Sequence, residues 1–219
     1  MVYNLVTMNI ETVRYYTKKY PIVGISMNPS IAVNHLKKNR ENFFETARNI
    51  RKEIGNETEF YIQVIGESVS DMVLDANRIQ KEIPGNTFIK IPAGPDAFSA
   101  IKMLKEDHFK VSCTAVMTLN QALLAAAAGA DIIAIYVSRL NKAGIDSEKL
   151  IKDIQTAYTN LNIPTIICAA SIKDTVTIEH LAIAGIHYMA IDEQVLDQCA
   201  NSCHDKHKEE INESLGFTG

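Results

Sequence analysis

Tryptophan is absent from this 219-residue chain, and glycine (10), proline (6) and cysteine (4) are scarce. So few chain breakers exclude a collagen-like or low-complexity protein. Four scattered thiols, Cys113, Cys168, Cys199 and Cys203, exclude a disulfide scaffold, and two of them sit inside apolar strand-like runs. An excess of positive charge is also missing. The 22 Lys and Arg against 26 Asp and Glu leave a formal net charge of −4, with no basic block to meet a nucleic acid or an anionic membrane surface. The longest apolar run, Ala122 to Ala128, is alanine-rich and ends at Gly129, well short of the ~18 residues of a membrane span. The first residues lack the basic start and long apolar stretch of a signal peptide. The expectation is a cytoplasmic protein that engages neither nucleic acid nor membrane.

What remains is globular: 47% hydrophobic and 22% charged residues. Short β-branched runs alternate with amphipathic stretches eight times. The strand candidates are Tyr3–Thr7, Ile22–Ser26, Phe60–Ile65, Thr87–Pro92, Phe109–Thr114, Ile132–Val137, Pro164–Ala169 and His187–Ile191. Helical stretches fall at Asp71–Lys81, Asp96–Lys105, Leu119–Ala128, Ser147–Asn160 and Thr175–Ala184. A parallel sheet needs a crossover after each strand, so this alternation predicts an α/β protein with a parallel sheet. Eight units without a long linker fit a single closed (β/α)8 barrel, a TIM barrel, over residues 1–219. The barrel itself takes about 3–192, and a polar, charge-rich helical tail takes 193–219. A weak internal repeat agrees: Ala128-Gly-Ala-Asp and Ala184-Gly-Ile-His each end a helix at a glycine and begin a strand.

Barrels of this kind carry their sites at the C-terminal ends of the strands. Six consecutive strands bring polar groups there: Ser26 and Asn28, Gln63, Lys90, Thr114, Tyr136 and Arg139, then Ser171 and Lys173. Lys90, in Phe88-Ile-Lys-Ile-Pro92, is the sharpest. Strand alternation puts Phe88, Lys90 and Pro92 on one face and Ile89 and Ile91 on the other. If the isoleucines meet the helices, Lys90 points into the barrel, where desolvation lowers its pKa towards a nucleophilic amine suited to Schiff-base chemistry. The strand context leaves a snorkelling lysine or a structural ion pair equally open. Asn28 before Pro29 reads as a turn and helix-cap residue. Thr114 and Ser171 read equally as strand or cap hydroxyls, and Tyr136 as barrel core. Arg139 and Lys173 form either a pair of surface charges or an anion site. Cys199, Cys203 and His207, with His204 alongside, share one helical face in the tail. A linear set on one helix does not close a tetrahedral zinc site, so no metal is expected.

Together, Gly24-Ile-Ser-Met-Asn-Pro-Ser-Ile31, Ile89-Lys-Ile-Pro92, Ala100-Ile-Lys-Met-Leu104, Thr114-Ala-Val116, Ala128-Gly-Ala-Asp131, Tyr136-Val-Ser-Arg139 and Ala169-Ala-Ser-Ile-Lys173 resemble the small transaldolase and fructose-6-phosphate aldolase family. The match runs collinearly from about Tyr3 to Ile191. It implies a class I aldolase barrel, without metal or cofactor, acting on small sugars or sugar phosphates and assembling into a homo-oligomeric ring, pentameric or decameric. Carried over residue by residue, Lys90 is the Schiff-base nucleophile, and Gln63, Thr114 and Tyr136 hold the water and protons of the reaction. Asn28 and Ser26 lie on the donor side, and Arg139, Ser171 and Lys173 receive the acceptor's phosphate. Transaldolases resemble one another in having glutamate and phenylalanine where this chain has Gln63 and Tyr136. The implied activity is therefore reversible aldol cleavage of a ketose phosphate to dihydroxyacetone and an aldose phosphate. A pentose-phosphate-pathway transaldolase, and a non-catalytic sugar-phosphate-binding barrel, are the alternatives.

Two positions depart from the family pattern. Its first strand reads Asp-Thr where this chain has Val6-Thr7, and Met27 replaces a threonine. Either Tyr136 and water relay the protons alone, or the donor has changed, or activity is reduced. Losing a carboxylate beside the Schiff base removes ~4 kcal/mol of repulsion towards a phosphorylated donor, for charges 4 Å apart at an effective dielectric near 20. Val6→Asp is therefore expected to reorder donor ketones in a competition assay; an unchanged ranking discards the altered-donor reading.

Overall fold

The computed structural model describes residues 1–39 and 42–201. Cys203, His204 and His207, and with them most of the expected tail, lie outside the described residues. The chain opens with β1 (Val2–Val6), α1 (Ile10–Lys19), β2 (Ile22–Ser26), α2 (Pro29–Asn39), α3 (Phe43–Ile54) and β3 (Glu59–Gln63). It continues through α4 (Val69–Glu82), β4 (Thr87–Pro92), α5 (Pro95–Glu106), β5 (Lys110–Val116), α6 (Leu119–Ala127) and β6 (Ile132–Tyr136). The last units are α7 (Val137–Lys142), α8 (Ser147–Asn160), β7 (Ile166–Ala170), α9 (Thr175–Ile183), β8 (Tyr188–Ile191) and α10 (Glu193–Asn201). All eight strands pair in parallel with their sequence neighbours, and β8 closes on β1. This is the (β/α)8 barrel the alternation predicts. None of the described helices is long and apolar enough to cross a membrane.

The second and fourth strands keep their expected limits, the others differ by one or two residues at one end or both, and the clearest shift has a local cause. The seventh strand begins at Ile166 instead of Pro164, because proline has no N–H to offer a ladder. Two helices, not one, link β2 to β3, and the short α7 precedes α8. Helix starts follow their caps: Asn9, Asn42, Ser68, Thr118, Asp146 and Asp174 each accept a backbone N–H in the first turn.

Alternation along the strands divides the apolar residues into two cores. Leu5, Ile25, Phe60, Ile62, Ile89, Ile91, Ile133 and Ile135 face outward and pack against the helices. Tyr61, Phe88, Ile132, Ala134, Cys168, Ala170, Tyr188 and Ala190 face inward and fill the lumen. Tyr61 stacks on Phe88 at 4.6 Å between centroids. Tyr188 donates to the Glu59 carboxylate, and the Tyr61 hydroxyl lies 2.8 Å from both that carboxylate and the Tyr188 hydroxyl, its one proton serving one contact at a time. These groups plug the N-terminal half of the barrel. Below it, the buried Arg51 ties carbonyls of Gly55, Thr58 and Asn86 to the Thr87 hydroxyl.

At Gly24 the barrel wall has no room for a side chain. A Cβ there would collide with Asn4 Oδ1 and stand 3.0 Å from the Glu59 carbonyl oxygen. Gly24→Ala therefore overpacks the wall by about 1–3 kcal/mol. The expected result is a fall of roughly 3–10 °C in Tm by calorimetry; an unchanged Tm would mean that the wall yields there.

Candidate active site

Lys90 lies on β4 with Phe88 and Pro92 on the lumen side, while Ile89 and Ile91 are fully buried among the helices. Its side chain is 7% exposed. The amine donates to Ser26 Oγ at 3.2 Å and to the Met27 carbonyl at 3.0 Å. Neither partner carries charge, so the structural ion pair that the strand context left open is not formed. Burial pushes the Lys90 pKa down from 10.5 to about 8, opposed weakly by the neighbouring Cys168. The Cys168 thiol is itself pushed up to about 12 by burial and stays neutral at physiological pH.

Above Lys90 the lumen opens into a cavity of about 140 Å³, lined in part by Val6, Ser26, Asn28, Thr114, Tyr136 and Arg139. Ser171 and Lys173 line the same cavity. Thr114 donates to the Tyr136 hydroxyl at 3.1 Å, and both side chains are buried. The Arg139 guanidinium lies over the Tyr136 ring, 4.6 Å from its centroid. Asn28 does what a residue before proline is expected to do: its Oδ1 accepts the Ile31 N–H at 3.0 Å and starts α2. Gln63 is the backbone partner of Lys90 in the ladder but does not line the Lys90 cavity. It faces an adjoining cleft of about 190 Å³ shared with Asn28, Pro92, Thr114, Tyr136 and Arg139. The lumen and this cleft thus bring all nine residues singled out in the sequence to one mouth.

Two features escape the sequence. Lys173 lines the mouth, but its ammonium is bound to Asp192 at 3.0 Å, so apart from Lys90 itself Arg139 is the cation of the cavity without an ion-pair partner among the described residues. Asn4, Ser112, Cys168, Tyr188 and Asp192 also line the cavity. Ser112 belongs to the polar end of the fifth strand in the sequence as well, but nothing in the isolated sequence marked Asn4, Cys168, Tyr188 or Asp192 as site residues. At the strand ends, Ala115 (φ 57°) and Ser171 (φ 59°) adopt the left-handed conformation, which non-glycine residues take mainly where surrounding structure imposes it. Among the described residues, no group of three or more His, Cys, Asp or Glu side chains stands together as a metal site.

A buried amine, a tyrosine–threonine hydrogen bond and one free guanidinium can attack a carbonyl, move a proton and hold an anion. The chain matches the family model described as "Transaldolase/Fructose-6-phosphate aldolase" over residues 6–217. It is 32% identical, over 90% of its own length and 87% of the relative's, to a protein named "Probable fructose-6-phosphate aldolase" from Streptococcus pneumoniae. Among solved structures, a phosphoenolpyruvate phosphomutase from Streptomyces platensis subsp. rosaceus superposes with a TM-score of 0.61. That alignment spans 98% of this chain and 84% of the other at 12% identity, a likeness of fold alone. Selective acylation of Lys90, followed by peptide mass spectrometry, is expected to show a midpoint near pH 8, the ammonium losing its proton as pH rises. A midpoint near the ordinary lysine value of about 10.4 would contradict the buried-amine description.

Proposed function

This chain belongs to the transaldolase/fructose-6-phosphate aldolase family, and we propose that it is a Schiff-base aldolase that cleaves and forms a ketose phosphate through Lys90. One observation carries the reading. The amine is buried with only neutral partners and burial lowers its pKa to about 8, so a minor but usable share, roughly a tenth at pH 7, is the nucleophilic free amine.

In the cleavage direction the neutral Lys90 amine adds to the ketose carbonyl carbon. The carbonyl oxygen takes one proton from the amine nitrogen and a second from a general acid and leaves as water, and the carbon–nitrogen double bond that forms is an iminium. A general base then takes the proton of the hydroxyl beside the breaking carbon–carbon bond, the iminium draws in that bond's electron pair as the aldehyde departs, and an enamine is left. Protonation at carbon and addition of water then release the ketone and restore the amine. Tyr136, hydrogen-bonded to Thr114, is assigned the proton transfers. Gln63 is assigned the reaction water from the adjoining cleft. Ser26 orients the amine, and the Asn28 amide faces the donor. Arg139 and Ser171 take the phosphate, with Lys173 at their edge. The donor is dihydroxyacetone or a related ketone and the acceptor an aldose phosphate, handled without metal or cofactor. As proposed, residues 1–219 make one barrel domain with its tail and work in the cytoplasm as a homo-oligomeric ring. Exposed Val176 and Ile183 on α9, the latter 85% accessible, support an apolar contact between copies.

The test is chemical trapping. With dihydroxyacetone or fructose 6-phosphate present, borohydride is expected to fix a reduced adduct on the Lys90 peptide and on no other. Lys90→Met is expected to lose both the adduct and turnover, and to raise Tm, because it removes a buried ammonium. An active protein with no adduct at Lys90 would sink the proposal.

A further inference from the structure

The site as described has no hydroxyl acceptor at Val6, yet a polyhydroxylated ketone bound to Lys90 must satisfy its own hydroxyls inside the barrel. On the Schiff-base reading, on which this inference rests, we propose that Asp192 accepts a hydroxyl of the donor ketone and so determines which donor is taken.

The placement follows from strand register. In the β1–β8 pair, Val2 stands beside Tyr188, Asn4 beside Ala190 and Leu5 beside Ile191. The ladder ends there, and the same register continued by one residue brings Asp192 next to Val6, with which it shares the cavity lining. Tyr188 and Ala190 face the lumen, and Asp192 keeps their parity and lines the cavity that contains Lys90. On the other side of β1, Val6 pairs with Ser26, whose hydroxyl holds the Lys90 amine at 3.2 Å. Around the rim the order is therefore Asp192, Val6, Ser26, with the amine at Ser26. Two strand spacings, about 10 Å, separate the backbones of Asp192 and Ser26. Inward side chains and a three-carbon ketone between them bridge that span.

The carboxylate is fixed in place and has capacity left. Asp192 Oδ1 accepts the Val195 N–H at 3.1 Å at the start of α10, and Oδ2 accepts the Lys173 ammonium at 3.0 Å. Each carboxylate oxygen accepts about two hydrogen bonds, so one site per oxygen remains. Asp192 is also the only acid among the cavity's described lining residues. The ion pair with Lys173 leaves this part of the rim close to neutral, which suits an unphosphorylated, hydroxylated ketone and leaves phosphate to Arg139.

Hydroxyacetone lacks the hydroxyl on the carbon that does not form the new bond, so comparing it with dihydroxyacetone isolates the contact. The assay measures kcat/KM for each donor with glyceraldehyde 3-phosphate as acceptor. Asp192→Ala is expected to lower kcat/KM for dihydroxyacetone at least tenfold more than for hydroxyacetone. Asp192→Asn preserves the cap of α10 and is expected to shift the ratio in the same direction by less. Equal losses for the two donors would make Asp192 only a cap and a partner for Lys173, and an unchanged ratio in both variants would likewise overturn the assignment. Borohydride trapping of dihydroxyacetone on wild-type Lys90 separates the failures. Trapping with an unchanged ratio overturns Asp192 alone, whereas no trapping overturns the Schiff-base reading and this inference together.

Discussion

An ammonium group placed in a lumen without a counter-charge is the constraint around which this protein is arranged. Desolvation disfavours the charged form, so the amine of Lys90 is chemically useful only while the barrel keeps water and carboxylates from its immediate contacts. The closed sheet accomplishes this. Ile89 and Ile91 anchor β4 against the helices, and the inward face holds Lys90 between neutral partners, Ser26 and the Met27 carbonyl. A carboxylate in direct contact would hold the proton on the amine and raise its pKa. The valine at position 6, which lines the same cavity, fits this economy of charge.

The lumen is divided along its axis by side-chain size. At the N-terminal end, Tyr61, Phe88 and Tyr188 fill the interior, the two tyrosines converging on Glu59 and Phe88 stacking on Tyr61. Higher up, Ala134, Ala170 and Ala190 occupy positions that larger residues would close, and Gly24 lets Asn4 lie against the wall. A packed floor makes the barrel rigid, while small residues above it leave room for a three-carbon ligand at the amine. Stability and reactivity are thus separated by one or two residues along each strand.

Charge is partitioned around the mouth in the same way. Arg139 rests on the Tyr136 ring and Tyr136 accepts a hydrogen bond from Thr114, so the phenol sits beneath a cation and beside a hydroxyl. At the next two strand ends, after β7 and β8, Lys173 and Asp192 neutralise one another. The Arg139 end of this arc suits an anion and the Asp192 end a neutral hydroxylated group. An asymmetric substrate with a phosphate at one end and a ketone near the other has a single favourable orientation in such a field.

Much of this was legible in the sequence because it is local. The period-two pattern Phe88-Ile-Lys-Ile-Pro92 determines that Lys90 shares a face with Phe88, the cap residues determine where helices start, and eight alternations determine a closed parallel barrel. The polar strand ends from Ser26 to Lys173 could likewise be gathered at one mouth, since strands in a parallel barrel all point the same way. Register between strands is not local. It is set by how eight inward faces pack against one another, and it alone placed Asp192 beside Val6, bound Lys173 to Asp192, and turned Gln63 into the neighbouring cleft. The sequence by itself determined which groups reach the mouth. Only the tertiary structure decided which of them are neutralised there and which remain free to act, because the charge state of a group depends on the side chains beside it in space.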